Sequence, residues 1–142
     1  MPRSDYNFYH PFRVRYAETD AQGIVFNAHY FTYFDTALYE YLRWLPFNYQ
    51  QHVKSSGEDF HTVRVEIDFL GPSGFDDLIL VHVRTQRIGR SSLVFALEIF
   101  SEKGEDSLVN GQVVWVNADQ AHKKSAPLPK QLIERIKARE SL

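Results

Sequence analysis

Between Thr19 and Tyr30 the chain runs Thr-Asp-Ala-Gln-Gly-Ile-Val-Phe-Asn-Ala-His-Tyr, and this segment holds the residues best suited to chemistry. A loop here would lead Asp20 into a helix beginning near Asn27. The first turn of a helix leaves backbone N–H groups unpaired and carries partial positive charge, which favours an anionic carboxylate beside it and polarises a carbonyl oxygen. A carboxylate and aimed N–H donors are two of the parts that acyl transfer needs, the first to attack or to activate water, the second to hold the oxyanion. Gly23 can take backbone angles closed to other residues and so tighten the loop. Asp and Asn are also ordinary loop and N-cap residues, so the pattern alone leaves a purely structural reading open.

The elements that must position these residues follow from periodicity. Tyr9 to Ala17 alternates, with Phe12, Val14 and Tyr16 on one side and Arg13 and Arg15 on the other, which predicts a short strand. From Asn27 the pattern turns helical: Tyr30, Phe34, Ala37, Leu38, Tyr41, Leu42 and Leu45 recur at helical spacing until Pro46. Ten of the 21 aromatic residues lie between Phe26 and Tyr49, so this helix is expected to be buried on most of its faces. Gln50 to Asp59 reads as a polar connection. Val63 to Phe69, Leu78 to Gln86, Leu93 to Phe100 and Leu108 to Asn117 then read as four strands joined by short turns, an antiparallel meander. A last short helix follows Pro127-Leu-Pro, with Leu132, Ile133 and Ile136 as its apolar stripe.

One aromatic helix beside a curved antiparallel sheet is buried only if the sheet wraps around it. The expected fold is therefore α+β with hotdog architecture, as a single domain over residues 1–142. Leu78 to Val83 and Leu93 to Ile99 are apolar on both faces, so a second subunit is the simplest cover for what one helix leaves bare.

Composition narrows the classes. The 142 residues are 44% hydrophobic and 24% charged with net charge -2, values of a globular protein that point to neither nucleic acid nor an anionic membrane as partner. No run approaches a membrane span or a signal peptide, so a cytoplasmic protein is expected. Zero cysteines exclude disulfides and thiolate chemistry. His10, His29, His52, His61, His82 and His122 fall at no metal-binding spacing, so no metal site is expected. Phosphate-loop, nucleophile-elbow and dinucleotide motifs are absent.

The segment from Arg15 to Leu42, RYAETDAQGIVFNAHYFTYFDTALYEYL, resembles the 4-hydroxybenzoyl-CoA thioesterase-like branch of the hotdog superfamily, with Asp20, Gly23, the apolar triplet and Tyr30 in register. The likeness continues more weakly through Arg87-Ile-Gly-Arg-Ser-Ser and Pro-Leu-Pro. It implies an acyl-CoA thioesterase with Asp20 as nucleophile or general base, the Asn27 N–H as oxyanion donor and Gly23 closing the loop. Tyr30 and His29 would border the substrate. Asp20 of one subunit would work on an acyl group bordered by strand residues of another, in a homodimer or homotetramer. Where some relatives carry a His after this Gly and an Asn-Asn pair, this chain has Ile24 and Asn27 alone, which leaves acyl preference open.

No cofactor is implied beyond coenzyme A as part of the substrate, with an acyl-carrier thioester as the other possible form. The phosphates of coenzyme A require a basic site, and Arg87, Arg90, Ser91 and Ser92 around the Gly89 turn fit best. Polar hairpin turns are also simply solvated. Two rival functions use the same groove: a non-catalytic acyl-thioester binding module, and a hydratase or dehydratase in which His29 is the base.

Overall fold

The computed structural model describes residues 1–142. Strands β1 (Phe8–Arg13), β2 (Glu58–Phe69), β3 (Leu78–Ile88), β4 (Ser92–Ser101) and β5 (Ser107–Asp119) form an antiparallel sheet in the order β1-β3-β4-β5-β2, with the two-residue β6 (Lys124–Ser125) on β5. Helix α1 (His29–Trp44) lies along the concave face. Its Tyr30, Tyr33, Phe34, Ala37, Leu38, Tyr41 and Leu42 are buried, the spacing of one broad apolar stripe. They pack on inward residues of the strands, among them Ile79, Val81, Val83, Phe95, Leu97, Val109, Val113 and Trp115. This is the hotdog arrangement.

Four details depart from the expected elements. The first strand stops at Arg13; Arg15 to Glu18 turns into a 3-10 helix, and Tyr16, expected to face inward, is 77% exposed. The polar stretch after Pro46 contains a second helix, α2 (Tyr49–Ser56), capped by the Asn48 side chain on Gln51 N–H and ended by Gly57 at φ 70°. Val63, which alternation in Val63 to Phe69 puts on the same face as Val65 and Ile67, is pushed out by a register shift between Thr62 and Arg64 and is 58% exposed. Part of the second apolar face is covered by the chain itself: Tyr6 Oη donates to the buried Glu98 at 2.8 Å, and Arg3 reaches His82 at 3.2 Å and lies over the Phe100 ring. The final helix α3 (Lys130–Glu140) buries Leu132 and Ile136, and its Glu140 accepts the Tyr41 hydroxyl at 2.7 Å.

The seat of α1 on the sheet depends on Gly111. A Cβ there would stand 2.5 Å from the Glu66 carbonyl oxygen and 2.7 Å from the Phe34 ring. Replacing a strand glycine with alanine ordinarily restricts the unfolded chain and helps stability by under about 1 kcal/mol. Here the clash with a paired backbone outweighs that gain. Gly111→Ala is expected to lower unfolding free energy by about 2 kcal/mol in a denaturant titration. A variant as stable as the parent would contradict this packing.

Candidate active site

The Asp20 segment forms a small hairpin of its own. Asp20 N–H donates to the Ile24 carbonyl at 2.9 Å, Gly23 N–H donates back to the Asp20 carbonyl at 3.0 Å, and Thr19 bridges Val25. Gly23 adopts φ 78°, and a Cβ there would meet nothing within 4 Å. The glycine is required by the left-handed backbone and not by space. Inside the turn, Asp20 Oδ1 accepts the Gln22 N–H at 2.8 Å, an Asx turn, while Oδ2 has no partner in the chain. One carboxylate oxygen holds the loop and the other is free.

The hairpin is fastened on both sides. Val25 N–H donates to the Ser73 carbonyl at 2.8 Å and Ile24 bridges Gly74, tying it to the loop between β2 and β3. Phe26 N–H donates to the Glu18 carbonyl at 2.9 Å. The Glu18 side chain is buried and fully engaged: Oε1 accepts Arg15 N–H and the Tyr33 hydroxyl, each at 2.8 Å, and Oε2 accepts the Arg15 guanidinium at 3.0 and 3.2 Å. Burial alone would raise the Glu18 pKa, but the Arg15 N–H, Tyr33 and the Arg15 guanidinium together hold it below its ordinary 4.5. Tyr33 belongs to α1, so a buried anion joins the entry to the hairpin to the helix it precedes.

The helix begins later than its sequence suggests. Ala28 is the N-cap and has no side-chain cap, and Asn27 is exposed one residue before it. The first turn is tight: His29, Tyr30 and Phe31 N–H donate to the Phe26, Asn27 and Ala28 carbonyls. The Asn27 and Ala28 N–H groups have no partner in the chain. Asn27 is thus a free donor at the helix tip instead of a cap, and Ala28 adds a second one that residue type gives no reason to notice.

Asp20, Gln22, Asn27 and Tyr30 line one open cavity of about 510 Å³ together with Phe69, Leu70, Gly71 and Pro72. The structure therefore brings Asp20, Asn27 and Tyr30 to a single pocket, and Gly23 is not among the lining residues but sits in the turn that carries Asp20. His29 is half-buried with its ring against Phe26 and is not among the lining residues. Arg87, Arg90, Ser91 and Ser92 surround the β3–β4 turn, where Gly89 N–H donates to the Ser92 carbonyl. That turn lies at the opposite end of the eleven-residue β3 from Gly74, roughly 35 Å away at about 3.3 Å per residue. Within one chain it does not meet the Asp20 pocket. In the sequence, Phe69 to Pro72 reads only as a strand end and a turn, and Glu18 carries no signal that sets it apart from other acidic residues.

Residues 22–108 match the model of the thioesterase superfamily. The chain is 30% identical over 128 residues to an acyl-CoA thioester hydrolase YbgC of Escherichia coli O6:H1, covering 89% of this chain and 93% of that one. It is 33% identical over 91 residues to an acyl-CoA thioesterase YbgC of Haemophilus influenzae, 64% of this chain and 67% of that one. Among solved structures, a thioesterase from Thermus thermophilus complexed with coenzyme A and Zn superposes with a TM-score of 0.82 at 28% identity, covering 97% of each chain.

The Glu18 network makes a pH prediction. A depressed folded-state pKa contributes stability that is present above the unfolded value of 4.5 and is lost as pH falls through the folded value. Glu18→Gln should cost about 2 kcal/mol of unfolding free energy at pH about 7, and the gap to the parent should close as pH drops below about 4. A gap independent of pH, measured by denaturant titration across that range, would contradict the role of the anion.

Proposed function

The chain belongs to the thioesterase superfamily and is a thioester hydrolase, and from that premise we propose that it cleaves acyl-CoA thioesters with Asp20 as the reacting carboxylate. The observation that carries this reading is the division of labour at Asp20, one oxygen fixed by Gln22 N–H and the other free beside the cavity that Asn27 also lines. A thioester carbonyl seated there would point its oxygen at the Asn27 N–H, with the Ala28 N–H adjacent, and its carbon at Asp20 Oδ2. As nucleophile, Asp20 forms a bond to the carbonyl carbon, the tetrahedral oxyanion expels the coenzyme A thiolate, and water cleaves the resulting mixed anhydride. As general base, Asp20 takes a proton from water as the water oxygen bonds to the same carbon. Both routes give free acid and coenzyme A, and both use the same free oxygen and the same donors.

The working unit on this reading is at least a homodimer. Strand β2 pairs only with β5 and leaves a twelve-residue free edge. Along it stand the exposed Phe31, Val63, Phe69 and Leu70, and an open groove of about 320 Å³ runs between α1 and β2 past Thr32, Asp35 and Thr62. A long unpaired edge presents a row of free N–H and C=O groups that invite strand pairing. Antiparallel pairing of two β2 edges brings the partner's β3–β4 turn to the same end as the Asp20 pocket, about three strand spacings of roughly 4.8 Å from the seam. Arg87, Arg90, Ser91 and Ser92 would then serve the coenzyme phosphates of the neighbouring subunit's pocket, which accounts for their distance from Asp20 within one chain. No helix is long and apolar enough to cross a membrane, and we assign the activity to the cytoplasm, where acyl-CoA substrates are met.

Asn keeps the acceptor that Gln22 needs but neither attacks nor takes a proton. Asp20→Asn is therefore expected to keep the parent's thermal midpoint and to lose at least about a hundredfold in kcat for thiol release from aryl, short, medium and long acyl-CoAs. Unchanged turnover across that panel would overturn the assignment. Enoyl thioesters should release thiol without water adding across the double bond.

A further inference from the structure

The strand that carries Arg87 contains one residue more than its partner can pair. Ile79, Val81, Val83 and Thr85 of β3 are all buried, on the face that meets the core. Plain alternation would send Arg87 the same way, against apolar neighbours, and would turn Ile88 out. The register shifts between Thr85 and Arg87 instead: Thr85 stands opposite Phe95, Arg87 opposite Val94 and Ile88 opposite the buried Leu93. Gln86 is the extra residue of a β-bulge. Ile88 therefore packs on the core and Arg87 is exposed.

The bulge is held by a carboxylate from far along the sequence. Strand β1 begins its pairing with Phe8 opposite Val83, two residues short of Thr85. Beyond that point Glu140, the last residue of α3, stands where a strand would: its Oε2 accepts the Thr85 N–H at 3.1 Å and the Tyr41 hydroxyl at 2.7 Å, and Tyr41 Oη lies 2.9 Å from Thr85 Oγ1. Glu140 Oε1 accepts the Asn7 amide at 3.1 Å. The Gln86 side-chain oxygen in turn accepts the Gln112 amide at 2.9 Å. A carboxylate in the last turn of a helix stands against the helix dipole, and the guanidinium of the adjacent Arg139 lies over the Trp44 ring. Glu140 is thus held by neutral donors at a place that does nothing for its own helix.

We propose that Glu140 is a positioning residue for coenzyme binding: through Thr85 and Tyr41 it fixes the bulge at Gln86, and the bulge aims Arg87 outward to the coenzyme phosphates. The inference rests on the phosphate reading of the Arg87 to Ser92 turn given above. Without the Glu140 acceptor, Thr85 N–H keeps only Tyr41 Oη at 3.2 Å, and the extra residue is free to shift along β3. A guanidinium contact to phosphate is directional, so a turn of one residue loses it, whereas the Asp20 hairpin at the other end of β3 stays as it is.

The test compares thiol release from one acyl group carried on coenzyme A and on pantetheine, which keeps the thioester and lacks every phosphate. In the parent, KM should be at least about tenfold lower for the coenzyme A ester, the measure of the phosphate contacts. Glu140→Ala should raise KM for that ester several-fold at unchanged kcat and leave both constants for the pantetheine ester near the parent's. Glu140→Gln, which keeps an acceptor oxygen for Thr85, should retain most of the preference. Arg87→Ala should lose most of it, and adding Glu140→Ala to that variant should cost nothing further. Thermal midpoints identify a variant that fails to fold; should Glu140→Ala do so, Tyr41→Phe, which removes the bridging hydroxyl, takes its place with the same expected rise in KM. An equal loss on both esters overturns the proposal, as does a Glu140 effect that persists in full on the Arg87→Ala background. A preference lost in Arg87→Ala but kept in folded Glu140→Ala removes only the Glu140 assignment. A preference untouched by Arg87→Ala removes the phosphate reading and this inference with it, whereas no thiol release from either ester by the parent removes the hydrolase reading itself.

Discussion

The buried carboxylate of Glu18 is the constraint on which the site depends. It joins three pieces of chain at one point: the end of β1 through Arg15, the entry to the Asp20 hairpin, and α1 through Tyr33. A charge taken out of water is tolerated only when its lone pairs are filled, and here four hydrogen bonds fill them. Because its main-chain carbonyl also takes Phe26 N–H, Glu18 sets where the hairpin ends and the helix begins. The distance between Asp20 and the free N–H groups of Asn27 and Ala28 is thereby a property of the fold and not of a mobile loop.

The sheet supplies the other half of the logic. Its concave face is filled by α1 and part of its convex face by the chain's own first residues, so the surface left bare is narrower than apolar patterning suggests: mainly the β2 edge and the groove beside α1. The same edge runs to Phe69 and the cavity wall. On the proposed reading, a second copy paired there would complete both the sheet and the pocket and would bring the Arg87 to Ser92 turn to the pocket's end of the sheet.

Much of this is legible in the sequence because it follows from short-range rules. Alternation from Val65 to Phe69 and the short apolar runs Leu78 to Val83 and Leu93 to Ile99, each bounded by turn residues, encode the meander, and the aromatic stripe from Tyr30 to Leu42 encodes the buried helix. Asp20, Gly23 and Asn27 are visible because their types and spacing serve a tight turn followed by a helix. What escapes depends on long-range contacts or on small backbone irregularities. Helix α2 carries Gln50, Gln51 and Lys54 over one buried His52 and lacks a stripe wide enough to read. The extrusion of Val63 is a one-residue bulge that alternation cannot reveal. Glu18 looks like part of an acidic surface turn, since its partner Tyr33 lies fifteen residues away. Asn27 looks like a cap because Asn usually is one; the tight first turn moves the cap to Ala28 and leaves two amides free. The Phe69 to Pro72 wall and Ser73 belong to a connection whose importance comes only from what folds against it.

The most direct test of the account is a crystal structure with an acyl-CoA analogue in which a methylene replaces the thioester sulfur and the carbonyl is kept. The account predicts the carbonyl oxygen within hydrogen-bond distance of the Asn27 N–H, Asp20 Oδ2 facing the carbonyl carbon, and the coenzyme phosphates on the Arg87 to Ser92 turn of a second chain across paired β2 edges. An analogue bound with its carbonyl turned away from both Asp20 and Asn27 would contradict it.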